Sequence, residues 1–261
     1  MVTRNMSSFW TSALKVALLL FLAIFMLATW LLYHQLQPAG SLSNRSNMKI
    51  EKINTKKIDE NGNYKPFPGY SIIAKCRQDQ KLDILKDFIE KSHLRKYYSP
   101  LPVSSYHMSL SRLPKLNNSF HDASNKAIHV PLKRAMELSK KMLPKSMKVR
   151  LKLDKKGNPS RILPSMLVEI IDKKEQDSVN KFQRRCKEEF GVQLNWLAKF
   201  GFHIALAYRY KEIPQEDKWI IDGEIRKLGK TALKLFPIEL EQGGVFTFKD
   251  MTEFVPFAPY I

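Results

Sequence analysis

Apolar positions along this chain recur at two spacings, and the switches between them outline its elements. Residues 70–76 (YSIIAKC) read as a strand. From 79 to 93 the period lengthens, and Leu82, Leu85, Phe88 and Ile89 share one helical face. Residues 104–112 read as a strand again, and 130–143 suit a helix opened by Pro131. Residues 147–154 (MKVRLKLD) alternate apolar and basic, the pattern of a half-buried strand. Gly157-Asn158-Pro159 makes a turn, after which 161–172 returns as a second strand. Residues 175–190 form a helix with Val179, Phe182, Cys186 and Phe190 inward and Gly191 as its stop. A strand at 201–210, a helix around 217–229 and strands near 233–241 and 244–249 complete the chain. Helices and strands in both halves predict an α+β domain.

Two N-terminal stretches stand apart from this rhythm. Residues 16–33 (VALLLFLAIFMLATWLLY) are uncharged and apolar with no polar face, long enough to cross a bilayer as a helix. A cleaved signal peptide has a shorter apolar region, roughly 7–15 residues, so an uncleaved signal anchor and attachment to a membrane are expected. Arg4 and Lys15 precede the run, and the first basic residues after it are Arg45, Lys49 and Lys52. That bias favours a cytoplasmic N-terminus and a domain on the lumenal or extracellular side. Asn44-Arg45-Ser46 and Asn117-Asn118-Ser119 would be glycosylation acceptors there. Residues 34–65 are polar and aperiodic, so they read as a tether. The expected organisation is a short segment 1–15, an anchor 16–33, a tether 34–65 and a folded domain 66–261.

Within that domain one pattern occurs twice. Positions 106–111 read YHMSLS and positions 202–207 read FHIALA. Each runs aromatic, histidine, bulky apolar, small, leucine, small. On a strand, His107, Ser109 and Ser111 share one face, and Tyr106, Met108 and Leu110 share the other. In the second copy His203, Ala205, Ala207 and Arg209 share a face opposite Phe202, Ile204, Leu206 and Tyr208. Both strands present a histidine among small neighbours, which leaves room for a ligand. One histidine on a strand is most often a packed or surface residue; the repetition is what points to chemistry. Imidazole titrates near pH 6.5, so of two facing histidines one can accept a proton while the other donates one. That is general acid–base cleavage of a phosphodiester. A hydroxyl two residues after each histidine would donate a hydrogen bond to a phosphate oxygen.

These motifs resemble those of the 2H phosphoesterase superfamily, with His-x-Ser/Thr-x-apolar twice on pseudo-symmetric strands. The resemblance extends over about residues 66–261 and includes the order of elements. YHMSLS and FHIALAY are most similar to the branch with the 3′-end trimming exonuclease of spliceosomal small nuclear RNA. Other branches act on 2′,3′-cyclic phosphates or 2′-5′ oligoadenylates. The resemblance implies a pseudo-twofold, two-lobed fold with a concave antiparallel sheet and the active site between the lobes. It also implies His107 and His203 as the catalytic pair and Ser109 as the first phosphate-binding hydroxyl. The second hydroxyl is absent, because Ala205 stands there. Losing one such donor costs on the order of 10²–10³ in rate unless another group replaces it. Arg209 and Ser111 are the candidates to help, and the implied substrates are RNA ends, oligonucleotides or cyclic nucleotide phosphates. A protein that binds such ligands without cleaving them, anchored to a membrane, is the alternative that Ala205 suggests.

Charge sharpens this picture. The chain has 44 Lys and Arg against 25 Asp and Glu, a formal net charge of +19. That surplus favours polyanionic partners, nucleic acid or an anionic membrane surface. The basic stretch from Lys133 to Arg161 could follow a phosphate backbone or simply be a solvated face. Tyr97, Tyr98 and Trp196 lie shortly before the motif strands, with Tyr98 and Trp196 candidates to stack on bases. Cys76 and Cys186 fit no metal motif and read as core residues. With no Cys/His cluster at ligand spacing, neither a structural zinc nor a cofactor is expected.

Overall fold

The computed structural model describes residues 25–26, 53–113, 126–191 and 201–258. Phe25 and Met26 are helical and exposed; the rest of the expected anchor at 16–33 lies outside the described residues. Among the described residues no helix is long and apolar enough to cross a membrane. A compact unit spans Lys52–Ile261. It includes the last part of the stretch read as a tether: Ile58 is fully buried and bridges to Tyr64.

The strands are β1 (Gly69–Lys75), β2 (Tyr98–Pro100), β3 (His107–Arg112), β4 (Ser146–Leu151), β5 (Ser165–Ile170), β6 (His203–Ala205), β7 (Ala207–Arg209), β8 (Ile238–Glu241), β9 (Gly244–Phe248) and β10 (Val255–Pro256). Among the described residues from 53 on, the α-helices are α1 (Gln80–Lys91), α2 (Lys126–Met142), α3 (Lys173–Phe190) and α4 (Lys218–Leu235). One antiparallel sheet of eight strands runs in the order β10-β9-β1-β3-β6-β5-β4-β8, and β2 pairs with β7 in a second, two-stranded sheet. The motif strands β3 and β6 are therefore the central pair, with three strands on either side. In chain order β1 and α1 precede β3, with the short strand β2 between α1 and β3, and β5 and α3 precede β6. Just beyond β1, Cys76 bridges to Leu240 of the edge strand β8, and Arg77 N donates to Glu239 O at 2.9 Å. The sheet thus curls back on itself.

Local chemistry accounts for the helix ends. Asp79 accepts from Lys81 N ahead of α1, and Asp172 accepts from Lys174 N and Glu175 N ahead of α3, caps worth about 1 kcal/mol each. Gly191 closes α3 in the left-handed conformation expected of it, φ 63°. Leu82, Leu85 and Ile89 of α1 and Val179, Phe182 and Cys186 of α3 are buried, each large side chain contributing roughly 1.5–3 kcal/mol. Both cysteines are free and buried.

Four elements differ from the sequence expectation. Helix α2 reaches back to Lys126, so Pro131 lies inside it and forgoes one helical hydrogen bond instead of opening the helix. Strand β5 starts only at Ser165, because Pro164 has no N–H to offer a ladder. Helix α4 runs on to Leu235 and ends ahead of Pro237, which disfavours helical geometry at Phe236. Finally, the strand expected over 201–210 breaks at Leu206, whose N–H donates to the Pro164 carbonyl at 3.0 Å. The chain bends there and leaves the large sheet to pair with β2.

Candidate active site

Met108 of β3 pairs with Ile204 of β6 at the centre of the sheet. Both are fully buried and face the core. Side chains alternate, so His107, Ser109, His203 and Ala205 occupy the opposite face, and all four are partly exposed. In antiparallel pairing about Met108 and Ile204, position 107 lies across from 205 and position 109 across from 203. The antiparallel register therefore exchanges neighbours between the motifs. Ser109 flanks the histidine of the other motif, and the missing hydroxyl at Ala205 is missing beside His107.

Both imidazoles are held in the same way. His107 Nδ1 lies 2.7 Å from the Ser105 carbonyl, and His203 Nδ1 lies 3.1 Å from the Gly201 carbonyl. A carbonyl only accepts, so each Nδ1 carries the proton and each neutral ring keeps its lone pair on Nε2. The two carbonyls are set by local backbone. Ser105 ends a 3-10 turn, Val103–Ser105, and is itself buried. Gly201 has φ 66°, a left-handed conformation that favours glycine, with nothing within 4 Å of a Cβ placed there. Conformation, not space, demands glycine at that position.

The surroundings of His107 are apolar and cationic. The Phe254 ring packs on its imidazole with centroids 4.1 Å apart, and Phe248 packs on Phe254 at 5.0 Å. Lys75 of β1 pairs directly with His107. Lys57 donates to the Tyr208 hydroxyl at 3.0 Å and lies over the rings of Tyr208 and Phe67. Burial, above all, pushes the His107 imidazole down to about 4; the charges of Lys57, His203 and Lys75 add to this, against the raising effect of the Ser105 hydrogen bond. His107 is therefore neutral at pH 7.

The remaining sequence candidates are dispersed. Ser111 does not share the His107 face. A bulge in β3 sets Ser109 and Ser111 against the consecutive residues Ile73 and Ile72, which interrupts the alternation. Ser111 is fully buried and hydrogen-bonds the Cys186 thiol. Arg209 lies past the break at Leu206, is 7% exposed, and reaches Glu212 at 3.5 Å. The break also reverses the burial expected of its neighbours, Ala207 being buried and Tyr208 only partly so. Tyr98 pairs with Arg209 in the two-stranded sheet and is buried there. Trp196 lies outside the described residues. On the open face of the sheet, Arg150 meets Glu169 at 2.7 Å and Lys148 lies across from Glu239, so that part of the basic stretch faces acids. Among the described residues no group of three or more His, Cys, Asp or Glu is placed to hold a metal ion.

The site also contains groups that motif reading passed over. Lys57, Lys75 and Phe254 come from distant parts of the chain, and only strand register and loop packing bring them to His107. Ser165 of β5 pairs with Ala205, on the His203 face of the sheet.

Known proteins support this architecture. An uncharacterized protein, 127L, of Invertebrate iridescent virus 6 is 28% identical over 230 aligned positions, covering 77% of this chain and 93% of that protein. The crystal structure of a conserved protein of unknown function from Agrobacterium tumefaciens shares the fold, with a TM-score of 0.61 at 15% identity. The match covers 80% of this chain and 94% of that one. Residues 57–152 match the family model of a 2H-phosphodiesterase-like domain of unknown function (DUF1868), a stretch that takes in His107 and Ser109 and ends before His203.

Proposed function

We propose that the chain is a phosphoesterase of the 2H type, cleaving phosphodiesters at RNA ends, in oligonucleotides or in cyclic nucleotide phosphates by two-histidine acid–base catalysis. The observation that carries the reading is the matched anchoring of His107 and His203, each by Nδ1 to the carbonyl two residues before it, on one face of the central strands. In the reaction, His107 Nε2 takes the proton of the attacking water or hydroxyl as its oxygen bonds to phosphorus. His203, protonated, gives its Nε2 proton to the oxygen that leaves. An anionic diester bound between them opposes the field of Lys57 and Lys75 and draws the His107 pKa back up toward neutrality. The family match over 57–152 supports phosphodiesterase chemistry at the coarser level. The chemistry needs no metal, so turnover should persist in EDTA.

The test is turnover of 3′-hydroxyl RNAs, 2′-5′ oligonucleotides and nucleoside 2′,3′-cyclic phosphates by the full chain in EDTA, beside His107→Ala and His203→Ala. Wild-type turnover that both variants lose is the expected result. Full activity in both variants overturns the mechanism. Phosphate-ligand binding with no turnover at any pH would favour the second reading, a binding module in which Ala205 marks lost catalysis.

A further inference from the structure

We infer that Arg161 and Ser165 supply the phosphate-oxygen donor that Ala205 lacks, an inference that rests on the phosphoesterase reading above. In the β5–β6 ladder Ser165 pairs directly with Ala205, and Leu167 pairs with His203. Directly paired residues project on the same face, with Cβ atoms about 4.5–5.5 Å apart. The Ser165 hydroxyl therefore stands one strand over from the vacant position, on the same face of the sheet as His203. Met166 and Val168 between and beyond are buried on the opposite face, which fixes the orientation of β5.

Arg161 holds this hydroxyl from the loop before β5. Its Nη2 donates to Ser165 Oγ at 3.1 Å and its Nε donates to the Ser165 carbonyl at 3.1 Å. Because Ser165 Oγ accepts from Arg161, its own proton remains available to donate. The guanidinium has five N–H donors and this clamp uses two, so further donors remain on a fixed, charged fork suited to phosphate oxygens. Ser165 is only 7% exposed and Arg161 is partly buried, so the pair is held in place and not a solvated surface group. The first motif presents its donor from its own strand, Ser109. The second presents it from the neighbouring strand, with a positive charge behind it. Arg209, the charged donor suggested by strand alternation, is buried past the break at Leu206.

The experiment uses the full chain and two readouts. Inorganic phosphate and adenosine 2′-monophosphate binding are measured by calorimetry, and adenosine 2′,3′-cyclic monophosphate turnover by product analysis. The proteins are wild type, Arg161→Gln, Ser165→Ala, Ala205→Ser and the double variant Ser165→Ala/Ala205→Ser, each checked for folding by thermal melting. Arg161→Gln should lose on the order of 10²-fold in kcat/KM. Its phosphate binding should weaken by roughly tenfold or more. Ser165→Ala should weaken both, and adding Ala205→Ser should restore them, because the hydroxyl returns one strand away. If wild type binds phosphate and Arg161→Gln and Ser165→Ala bind it equally well while folded, the inference falls and the phosphoesterase reading stands. Failure of Ala205→Ser to rescue Ser165→Ala overturns the equivalence of the two positions. A wild type that neither binds nor cleaves any of these probes takes the phosphoesterase reading down first, and this inference with it.

Discussion

His107 makes the stability of this domain depend on pH. An imidazole titrates near 6.5 in an unfolded chain, and in the folded protein burial first, then the charges of Lys57, His203 and Lys75, bring it to about 4. Between those values the unfolded state binds a proton that the folded state does not. Stability therefore rises with pH through this window, is fully present above about 6.5, and is lost as pH falls toward 4. The difference is about 2.5 units at about 1.4 kcal/mol each, on the order of 3 kcal/mol, a large fraction of a typical domain stability of about 5–15 kcal/mol. His107→Asn is the informative perturbation, because the asparagine amide still donates to the Ser105 carbonyl but does not titrate. Urea unfolding of both proteins, followed by tryptophan fluorescence from pH 4 to 8 at fixed ionic strength, gives the difference in stability at each pH. Other titrating groups act on both proteins alike and cancel to first order. The wild type should lose about 3 kcal/mol more than His107→Asn between pH 7.5 and 4. Parallel curves, with a difference constant to within about 0.5 kcal/mol, would refute a lowered His107 pKa in the folded protein.

Two further perturbations probe the groups around the pair. Lys57→Met removes a cation that lowers the His107 pKa, so the His107 ring resonances should titrate at higher pH than in wild type; an unchanged midpoint would remove Lys57 from the site. Gly201→Ala forces a Cβ into a left-handed conformation at a cost of roughly 1 kcal/mol and turns the carbonyl that holds His203. Its thermal midpoint should fall slightly while turnover falls much more. Loss of stability with full turnover would show that the Gly201 carbonyl does not position His203.

The repeated histidine was visible in sequence because it obeys a local rule. Alternation along β3 and β6 places His107, Ser109, His203 and Ala205 on one face and Met108 and Ile204 on the other, and that reading needs no tertiary knowledge. The same rule fails a few residues further along each strand, for reasons that lie elsewhere in the chain. At Leu206 the competing acceptor is the carbonyl of Pro164, and with the chain turned toward it Arg209 leaves the face that alternation assigned to it. At Ser111 the cause is a bulge against Ile72 and Ile73, which sends a hydroxyl into the core to meet Cys186. Neither the distant carbonyl nor the bulge leaves a mark in the local pattern.

Register explains the rest of what sequence spacing could not disclose. Read along the chain, Ser109 belongs to His107 and Ala205 to His203, so the second motif looks like the defective one. Across the antiparallel pair the neighbours change: Ser109 lies beside His203, and Ala205 lies beside His107, whose imidazole also feels the charges of Lys57 and Lys75. Ser165 occupies the next strand across from Ala205, with Arg161 clamped behind it. The proposed replacement hydroxyl lies one strand further from His107 than the position Ala205 leaves without one. If Ser165 stands in for the missing hydroxyl, the residue paired with Ala205 across the ladder, and not the motif alone, decides whether this site keeps its chemistry, and that residue is a serine held by an arginine.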